Sequence, residues 1–304
     1  MTLRPAAAWA FVVQVAEAWL DDHAASMGAA LAYYTLFSLA PLLLIVISVA
    51  GLAFGDAAAR GAVQGQLAAL MGEPGASAVQ ALLASVRQPS QGWAAATLGA
   101  VLLFFGASSV FGELQDALDR IWRVPARVRA DAGTGTVKGG RGDGWIALVR
   151  ARLLSFSMIL ALGLLLIASL VASTVLAALG RGLDPIFGAW RGFAEAGNAA
   201  LGFGLVALIV ALIYKLMPRV QVLWADVWIG ALFTALLFTL GKGLIGLYIV
   251  HSGIASGFGA AGSLVVVLLW VYFSAQILLI GAEFTWVFAN TYGSRKGAAV
   301  GAAV

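Results

Sequence analysis

Long apolar runs separated by shorter polar connections dominate this chain. Six runs reach about 20 residues, the length needed to cross the apolar core of a bilayer. They lie at about 31–54, 92–112, 153–179, 199–217, 226–250 and 262–289. Lipid offers the backbone no hydrogen bonds, so each run is predicted to be an α-helix, and runs such as LALGLLLIASLVA lack the alternation of a β-strand. The predicted fold class is therefore all-α, a polytopic membrane protein with six transmembrane helices.

The N-terminal segment has a different pattern, with apolar and polar residues on opposite faces of one helix. Over 6–27 the apolar face carries Trp9, Val12, Val13, Ala16, Trp19 and Leu20, and the polar face carries Gln14, Glu17 and Asp21. This pattern predicts an amphipathic helix lying in the membrane interface. A signal peptide is the alternative, but Glu17 interrupts its apolar run. We expect an interfacial helix on the cytoplasmic side at 1–30, a transmembrane domain at 31–290 and a flexible cytoplasmic tail at 291–304.

Composition supports a membrane protein and removes several classes of chemistry. Of 304 residues, 62% are hydrophobic and 11% are charged, and the mean hydropathy is +0.97. Soluble domains are about 25% charged. The chain has no cysteine and two histidines, which excludes disulfides, thiolate metal sites and cysteine nucleophiles. No cofactor is expected.

The distribution of Lys and Arg predicts the orientation. Thirteen of the 18 basic residues fall on the side of the 113–152 connection, the 218–225 connection and both termini, and four fall on the opposite side. The positive-inside rule then places both termini in the cytoplasm. The same basic face is expected to meet anionic lipid headgroups, although topology alone suffices to explain it.

Two connections between the predicted spans are candidates for function. Residues 55–91 contain Val79, Leu82, Leu83 and Val86 at helical spacing, which predicts a short amphipathic helix that packs onto the bundle or caps a cavity. Residues 131–144, DAGTGTVKGGRGDG, lack the spacing of a phosphate-binding P-loop and are interpreted as a linker.

Ionisable groups within predicted spans are candidate functional residues because burying a charge in lipid is costly. Lys242 lies in the fifth span between two glycines, and Glu283 lies in the sixth. By helical rise, Lys242 is about 24 Å from the cytoplasmic start of its span, a depth that matches Tyr272 and Gln276. Lys242, Tyr272 and Gln276 therefore form the candidate substrate or lipid site. Snorkelling of Lys242 to the outer headgroups is the alternative.

Glu283 is predicted to have a structural role. It lies about 9 Å from the cytoplasmic end of its span, where Lys215 and Arg219 are the expected polar partners. Pro41 lies inside the first span and frees a backbone carbonyl, so a kink is expected there. Packing alone is the alternative explanation for that kink.

Three carboxylates at the end of the second span, Glu113, Asp116 and Asp119, raise the question of a metal site. They are three residues apart and share one helix side, and oxygen-only sites for magnesium exist. Arg120 and Arg123 follow at once, which favours an ordinary charged helix face. No metal is expected.

The same residues resemble a known family. The segments that show the resemblance are 31–41 (LAYYTLFSLAP), 114–122 (LQDALDRIW), 214–218 (YKLMP), 241–242 (GK), 258–262 (FGAAG), 269–272 (LWVY) and 281–283 (GAE). In order and spacing they are similar to the virulence factor BrkB/YihY-like family, over roughly 25–290. The chain departs from the family in its glycine-rich 131–144 loop and in Ala40, where a second proline is common.

The resemblance implies a bacterial inner-membrane protein with six helices. Members were once labelled ribonuclease BN, a label generally regarded as mistaken, and some are linked to serum resistance and to lipid or envelope homeostasis. A nuclease generally needs metals or histidine to activate water, and only His23 is available on the cytoplasmic side. We therefore expect neither an enzyme nor a nucleic-acid partner.

Two functions are carried forward. The first is transport or flipping of a phospholipid or other amphiphile, with Lys242 meeting a lipid phosphate. The alternative is a non-catalytic membrane scaffold that docks periplasmic lipid-transfer or envelope partners through 55–91 and 180–198. A Gly51-x-x-x-Gly55 pattern permits helix contact, so homo-oligomerisation stays open.

Overall fold

A computed structural model describes residues 5–86, 109–125 and 190–296 of the chain. Within these ranges the regular structure is helical and no strand occurs. The helices are α1 (Pro5–Asp21), α2 (Ala24–Phe54), α3 (Asp56–Val86), α4 (109–121), α5 (Trp190–Leu216), α6 (Trp224–His251), α7 (Ile254–Gly257) and α8 (Gly262–Thr291), with a 3₁₀ turn at Gly259–Ala261. The all-α fold class is confirmed for these parts of the chain.

Four of the six predicted spans fall inside long helices. The first lies in α2, the fourth in α5 apart from its last residue, the fifth in α6 and the sixth in α8. Among the described residues, three segments are long and apolar enough to cross a membrane: Ala199–Leu216, Trp224–His251 and Gly262–Thr291. Within α2, Ala24–Leu39 is a shorter apolar segment. The predicted span at 153–179, most of the span at 92–112 and the 131–144 loop lie outside the described residues. The six-span arrangement stays a prediction.

The N-terminal helix is shorter than the amphipathic pattern indicated. α1 ends at Asp21, and a two-residue turn follows in which His23 has a left-handed φ of 56° before α2 begins at Ala24. Trp9 and Leu20 are exposed, as an interfacial helix requires, while Phe11 packs edge-on against Phe284 of α8 at 5.3 Å between ring centroids. The turn at Asp22–His23, which helical spacing did not reveal, directs the chain from α1 into α2.

α3 is much longer than the short helix predicted near residue 79. It runs for 31 residues and contains one break, at Gly72, where φ is 74° and ψ is 169°. The sequence Gly72-Glu73-Pro74-Gly75 explains the break because only glycine adopts this backbone geometry without strain, and proline cannot donate a backbone hydrogen bond to the preceding turn. α3 packs against α2, α6 and α8. Its packing agrees with the interpretation that this connection joins the bundle.

α8 lies at the centre of the described structure and contributes to two apolar cores. The first core contains Leu118, Ile121, Tyr214, Val227 and Leu279, with further side chains from α2 and α4. The second contains Met71 and Val79 of α3, Ile245 and Ile249 of α6, and Val267 and Trp270 of α8. The two cores divide the bundle into the two regions that carry the candidate sites.

Small residues bring α6 and α8 into close contact. A Cβ atom at Gly230 would overlap the Thr285 hydroxyl, and one at Gly281 would overlap the Thr234 hydroxyl. Both threonines donate to backbone carbonyls of their own helices, Thr285 to Gly281 and Thr234 to Gly230. The hydroxyls are thereby satisfied, and the two backbones approach as small-residue helix pairs do in membranes.

The segment after α8 is tied to the bundle as far as residue 296. Ser294 bonds the buried Asp226 carboxylate through its backbone N–H and its hydroxyl, and Arg295 donates to the Gln221 carbonyl at 3.1 Å. The tail predicted to be flexible from 291 is therefore bound over its first residues. Pro41 lies within α2, and the kink expected there stays a prediction.

Candidate functional site

Lys242 lies on the side of α6 that faces the protein. Ala235 and Ile249 are buried and stand seven residues before and after it, so the three share one helix face. Lys242 itself is half-buried. The opposite face carries exposed leucines: Leu236, Leu240, Leu244 and Leu247. The cationic side chain thus projects from the inward stripe and not from the lipid-exposed row.

The break in α3 lies against the same region. Trp270 of α8 donates its indole N–H to the carbonyl of Met71, the residue before the break, at 3.1 Å. Phe238, one helical turn before Lys242 on α6, meets the Trp270 ring edge-on at 5.9 Å. Trp270 therefore satisfies a carbonyl at the break and joins α3 to the face of α6 that carries Lys242.

The register of α6 and α8 gives the level of Lys242. Gly230 lies opposite Thr285, Thr234 opposite Gly281 and Gly241 opposite Ile277, so the two helices are antiparallel. Together these pairs place Lys242 level with residues 273–276, about one to two turns from Trp270. We call Lys242, Trp270 and the Gly72 break the broken-helix region.

Tyr272 and Gln276 face a helix other than α6, which carries Lys242. The Gln276 amide donates to the carbonyls of Ala24 and Ala25 at 3.3 and 3.4 Å. A Cβ at Gly28 would overlap that amide and lie 3.7 Å from the Tyr272 ring. The structure brings Tyr272 and Gln276 together against α2, whereas Ile277 faces Gly241 of α6.

The other end of the bundle is held by charged and polar groups. Asp119 is fully buried and accepts two bonds from Arg219, from its backbone N–H and its guanidinium, both at 2.8 Å. Gln115, one turn earlier on α4, donates to the Met217 carbonyl at 2.9 Å. These contacts give the LQDALDRIW segment a structural role, because its side chains bind α4 to the loop between α5 and α6.

Two arginine side chains that lie over tryptophan rings also stabilise this end of the bundle. The Arg123 guanidinium lies 5.0 Å from the Trp286 ring and bonds Asp22 at 3.2 Å. Arg295 lies over the buried Trp122 at 5.2 Å. We call this part the charged end, and its members are Asp22, Asp119, Arg123, Arg219, Asp226, Glu283 and Arg295.

The structure gives Glu283 a different neighbour from those expected. Lys215 donates to the Val222 carbonyl at 2.6 Å and lies over the Trp224 ring, while Arg219 binds Asp119. Glu283 is fully buried and faces the Asp22 carboxyl at the turn between α1 and α2. The tie between α8 and α5 comes instead from Tyr214, whose hydroxyl donates to the Leu278 carbonyl at 2.6 Å.

The three acidic residues of α4 have separate environments. Asp119 faces Arg219, whereas the Asp116 side chain is 68% exposed and lies 3.6 Å from the same guanidinium. Burial, together with the Asp116 carboxylate, raises the pKa of Glu113 above its ordinary value. Across the described ranges, no group of three acidic or histidine side chains is arranged to hold a metal ion.

Sequence reasoning missed Asp22, Trp270 and the α3 break. The Gly-Glu-Pro-Gly segment was a visible signal for the break, since glycine and proline interrupt helices. Asp22 carried no comparable signal, because its contacts come from residues about 100 and 260 positions away.

Comparisons with known proteins point to one family over nearly the whole chain. The family model of virulence factor BrkB matches residues 15–303. A UPF0761 membrane protein of Pseudomonas paraeruginosa is 29% identical over 275 residues, covering 88% of this chain and 60% of the relative. One from Alkalilimnicola ehrlichii is 27% identical over 292 residues, covering 95% of this chain and 60% of the relative.

A shorter match has higher identity. A UPF0761 membrane protein of Tolumonas auensis is 35% identical over 112 residues, covering 32% of this chain and 37% of the relative. The chain therefore spans at most about 60% of the length of these three relatives. No solved structure matches the chain.

Proposed function

Since the chain belongs to the virulence factor BrkB family and is a membrane protein, we propose that it moves a phospholipid or another amphiphile across the bacterial inner membrane. The broken-helix region is the proposed headgroup site, and Lys242 is its cation. The proposed function is transport, not catalysis.

The charge distribution supports a multi-pass topology with the charged end in the cytoplasm. Arg123 after α4, Arg219 between α5 and α6, and Arg295 after α8 all belong to that end. Basic residues at one end of apolar helices favour retention of that end in the cytoplasm. Both termini are then cytoplasmic, and the proposed contact of this end with anionic lipid headgroups follows from the same charges.

The observation that carries the proposal is the break in α3, which Trp270 joins to the inward face of α6 that also carries Lys242. Trp270 lies eight residues into α8, about 12 Å along a helix of about 45 Å. Non-helical backbone at membrane depth is tolerated where it is enclosed by protein or lines a polar cavity. In transporters, interrupted helices at such depths form substrate sites.

The two faces of α6 suit the two parts of an amphiphile. An ammonium group on the inward stripe matches a phosphate, which it binds as a point charge. The exposed row of leucines on the opposite face offers an apolar surface to acyl chains. A headgroup in the broken-helix region and tails in the bilayer would therefore each meet a suitable environment.

The test is translocation of labelled anionic phospholipid by the purified protein in liposomes. We expect Lys242→Ala to slow it about tenfold, the rate equivalent of about 1.4 kcal/mol of lost stabilisation. Lys242→Arg should retain most of the rate because the charge remains. Val250→Ala removes an exposed apolar side chain of α6 outside the leucine row, so it is the matched control and should match wild type.

A scaffold that docks periplasmic envelope partners is the second candidate. The close contacts at Gly230 and Gly281 favour it, because a tightly packed α6–α8 pair leaves little room for a path between these two helices. Equal translocation rates for wild type and Lys242→Ala would show that Lys242 takes no part in translocation. Absence of translocation by folded wild type would favour the scaffold.

A further inference from the structure

Glu283 is a buried acidic group to which no side chain or backbone N–H of the described residues donates a hydrogen bond. Its side chain is 0% exposed, and neither carboxyl oxygen receives a hydrogen bond from an N–H or O–H group of the described residues. Asp22 is 4% exposed, and its Oδ2 atom is unsatisfied in the same way, while Oδ1 accepts from Arg123. A buried carboxylate without donors is costly, so this arrangement needs a compensating group.

The two carboxyl groups lie within hydrogen-bonding reach of each other. Two ionised carboxylates have only acceptors and repel, whereas one proton creates an O–H donor that bonds the facing oxygen. The proton then supplies the interaction that the surrounding residues lack.

The charge balance of the two buried carboxyl groups and the half-exposed Arg123 also favours a single proton. Asp22 and Glu283 carry two negative charges when ionised, and Arg123 supplies one positive charge at 3.2 Å from Asp22. The neighbouring Asp21 of α1 adds negative charge from the exposed side, and His23, next to Asp22, is exposed. One bound proton makes the set of Asp22, Glu283 and Arg123 neutral.

We propose that Asp22 and Glu283 form a proton-binding site in which the two carboxyl groups share one proton. The O–H bond lies on one carboxyl group and donates to the other, so the proton belongs to the pair. Arg123 disfavours a metal cation because a second positive charge would stand beside its guanidinium. The site joins the α1–α2 turn to α8, so its occupancy controls how firmly that turn is held.

A cleft lies next to the site. It has a volume of about 350 Å³ and lies between α1 and α8. Asp21, Arg123 and Trp286 line it, together with Glu17, Gln14 and Asn290. Arg123, which lines the cleft, bonds Asp22 at 3.2 Å, so one side chain separates the cleft from the pair. Movement of Arg123 would give a proton access to the pair from the charged end.

Infrared spectroscopy of the purified protein at pH 7 tests the site without any transport assay. We expect the C=O stretch of a protonated carboxylic acid, lost in both Glu283→Gln and Asp22→Asn. Each amide has nearly the size of the carboxyl group and supplies the N–H donor that replaces the proton, so both variants should fold. Glu17→Gln, which removes a carboxyl group lining the cleft, should keep the band.

Two results would overturn the proposal. The first is the absence of the band in wild type, or its survival in both amide variants when circular dichroism shows them folded. The second is loss of the band in sodium chloride but not in choline chloride, which would identify a sodium site. Because these readouts do not depend on translocation, failure of the proton site and failure of the transport function are distinguishable.

Discussion

The charged end and the broken-helix region hold their helices together by different interactions. At the charged end, Asp119 is buried against Arg219 and α4 reaches the chain about 100 residues away through directed bonds. In the broken-helix region, apolar side chains surround one indole bond to a carbonyl, and the half-buried Lys242 lies on the same inward face of α6 as the buried Ile249. Directed bonds therefore make the charged end the expected anchor of the bundle, and the broken-helix region is the proposed ligand site.

Removal of Asp119 is the strongest test of whether the charged end holds the bundle together. Asp119→Ala leaves the Arg219 guanidinium and backbone N–H without that acceptor in a largely buried site. We expect a loss of about 3 kcal/mol in the free energy of unfolding, the low end for a broken buried pair because Arg219 is 24% exposed. Thermal unfolding in detergent measures it.

Asp116→Ala is the matched control for that measurement. Asp116 contacts the same guanidinium at 3.6 Å but is 68% exposed, so its removal should cost at most about 1 kcal/mol. Equal losses in the two variants would show that burial does not distinguish them, and the charged end would then lose its special role.

The contact between α6 and α8 links the two regions, and overfilling it has the next largest effect. In Gly281→Ala the new methyl group would overlap the Thr234 hydroxyl and lie 2.6 Å from the Tyr214 hydroxyl. We expect a loss of about 2 kcal/mol, typical of an overpacked core, seen as a lower unfolding temperature.

Gly243→Ala is the control for this effect, because a methyl group at this position would meet no neighbouring helix within 4 Å in the described parts of the chain. It should keep wild-type stability or gain slightly from the higher helix propensity of alanine. If Gly281→Ala were as stable as Gly243→Ala, the close approach of α6 and α8 would not be needed for folding.

Apolar runs were sufficient to predict the helices that contain four of the six spans. They failed at α3, because a helix interrupted by Gly72 and Pro74 lacks the uninterrupted apolar run of a span. The level of Tyr272 and Gln276 was predictable from helical rise, but the helix they face depends on rotation about the α8 axis, which depth does not determine.

Partner choice at the charged end was not predictable for a related reason. Glu283 and Arg219 are both polar groups near the same end, and depth alone made them plausible partners. Arg219 instead bonds Asp119 because α4 packs against the α5–α6 loop, and Glu283 faces Asp22 because the chain turns at His23. Such contacts depend on tertiary packing between segments far apart in sequence.

The smallest expected effect concerns the bond at the break in α3. Trp270→Phe keeps an aromatic ring against Phe238 but removes the indole N–H, leaving the Met71 carbonyl without that donor. We expect a loss of about 1 kcal/mol in the free energy of unfolding, the usual net value of one hydrogen bond. Faster amide hydrogen exchange within α3 should accompany it, because local opening of the break becomes easier.

Trp228→Phe is the control for Trp270→Phe, since Trp228 is 40% exposed on α6 and the same chemical change there should alter neither stability nor exchange in α3. Unchanged α3 exchange in Trp270→Phe would mean that the surrounding apolar contacts alone hold the break. The broken-helix region would then be as rigid as the charged end, and the contrast between a fixed end and a ligand-binding region would no longer stand.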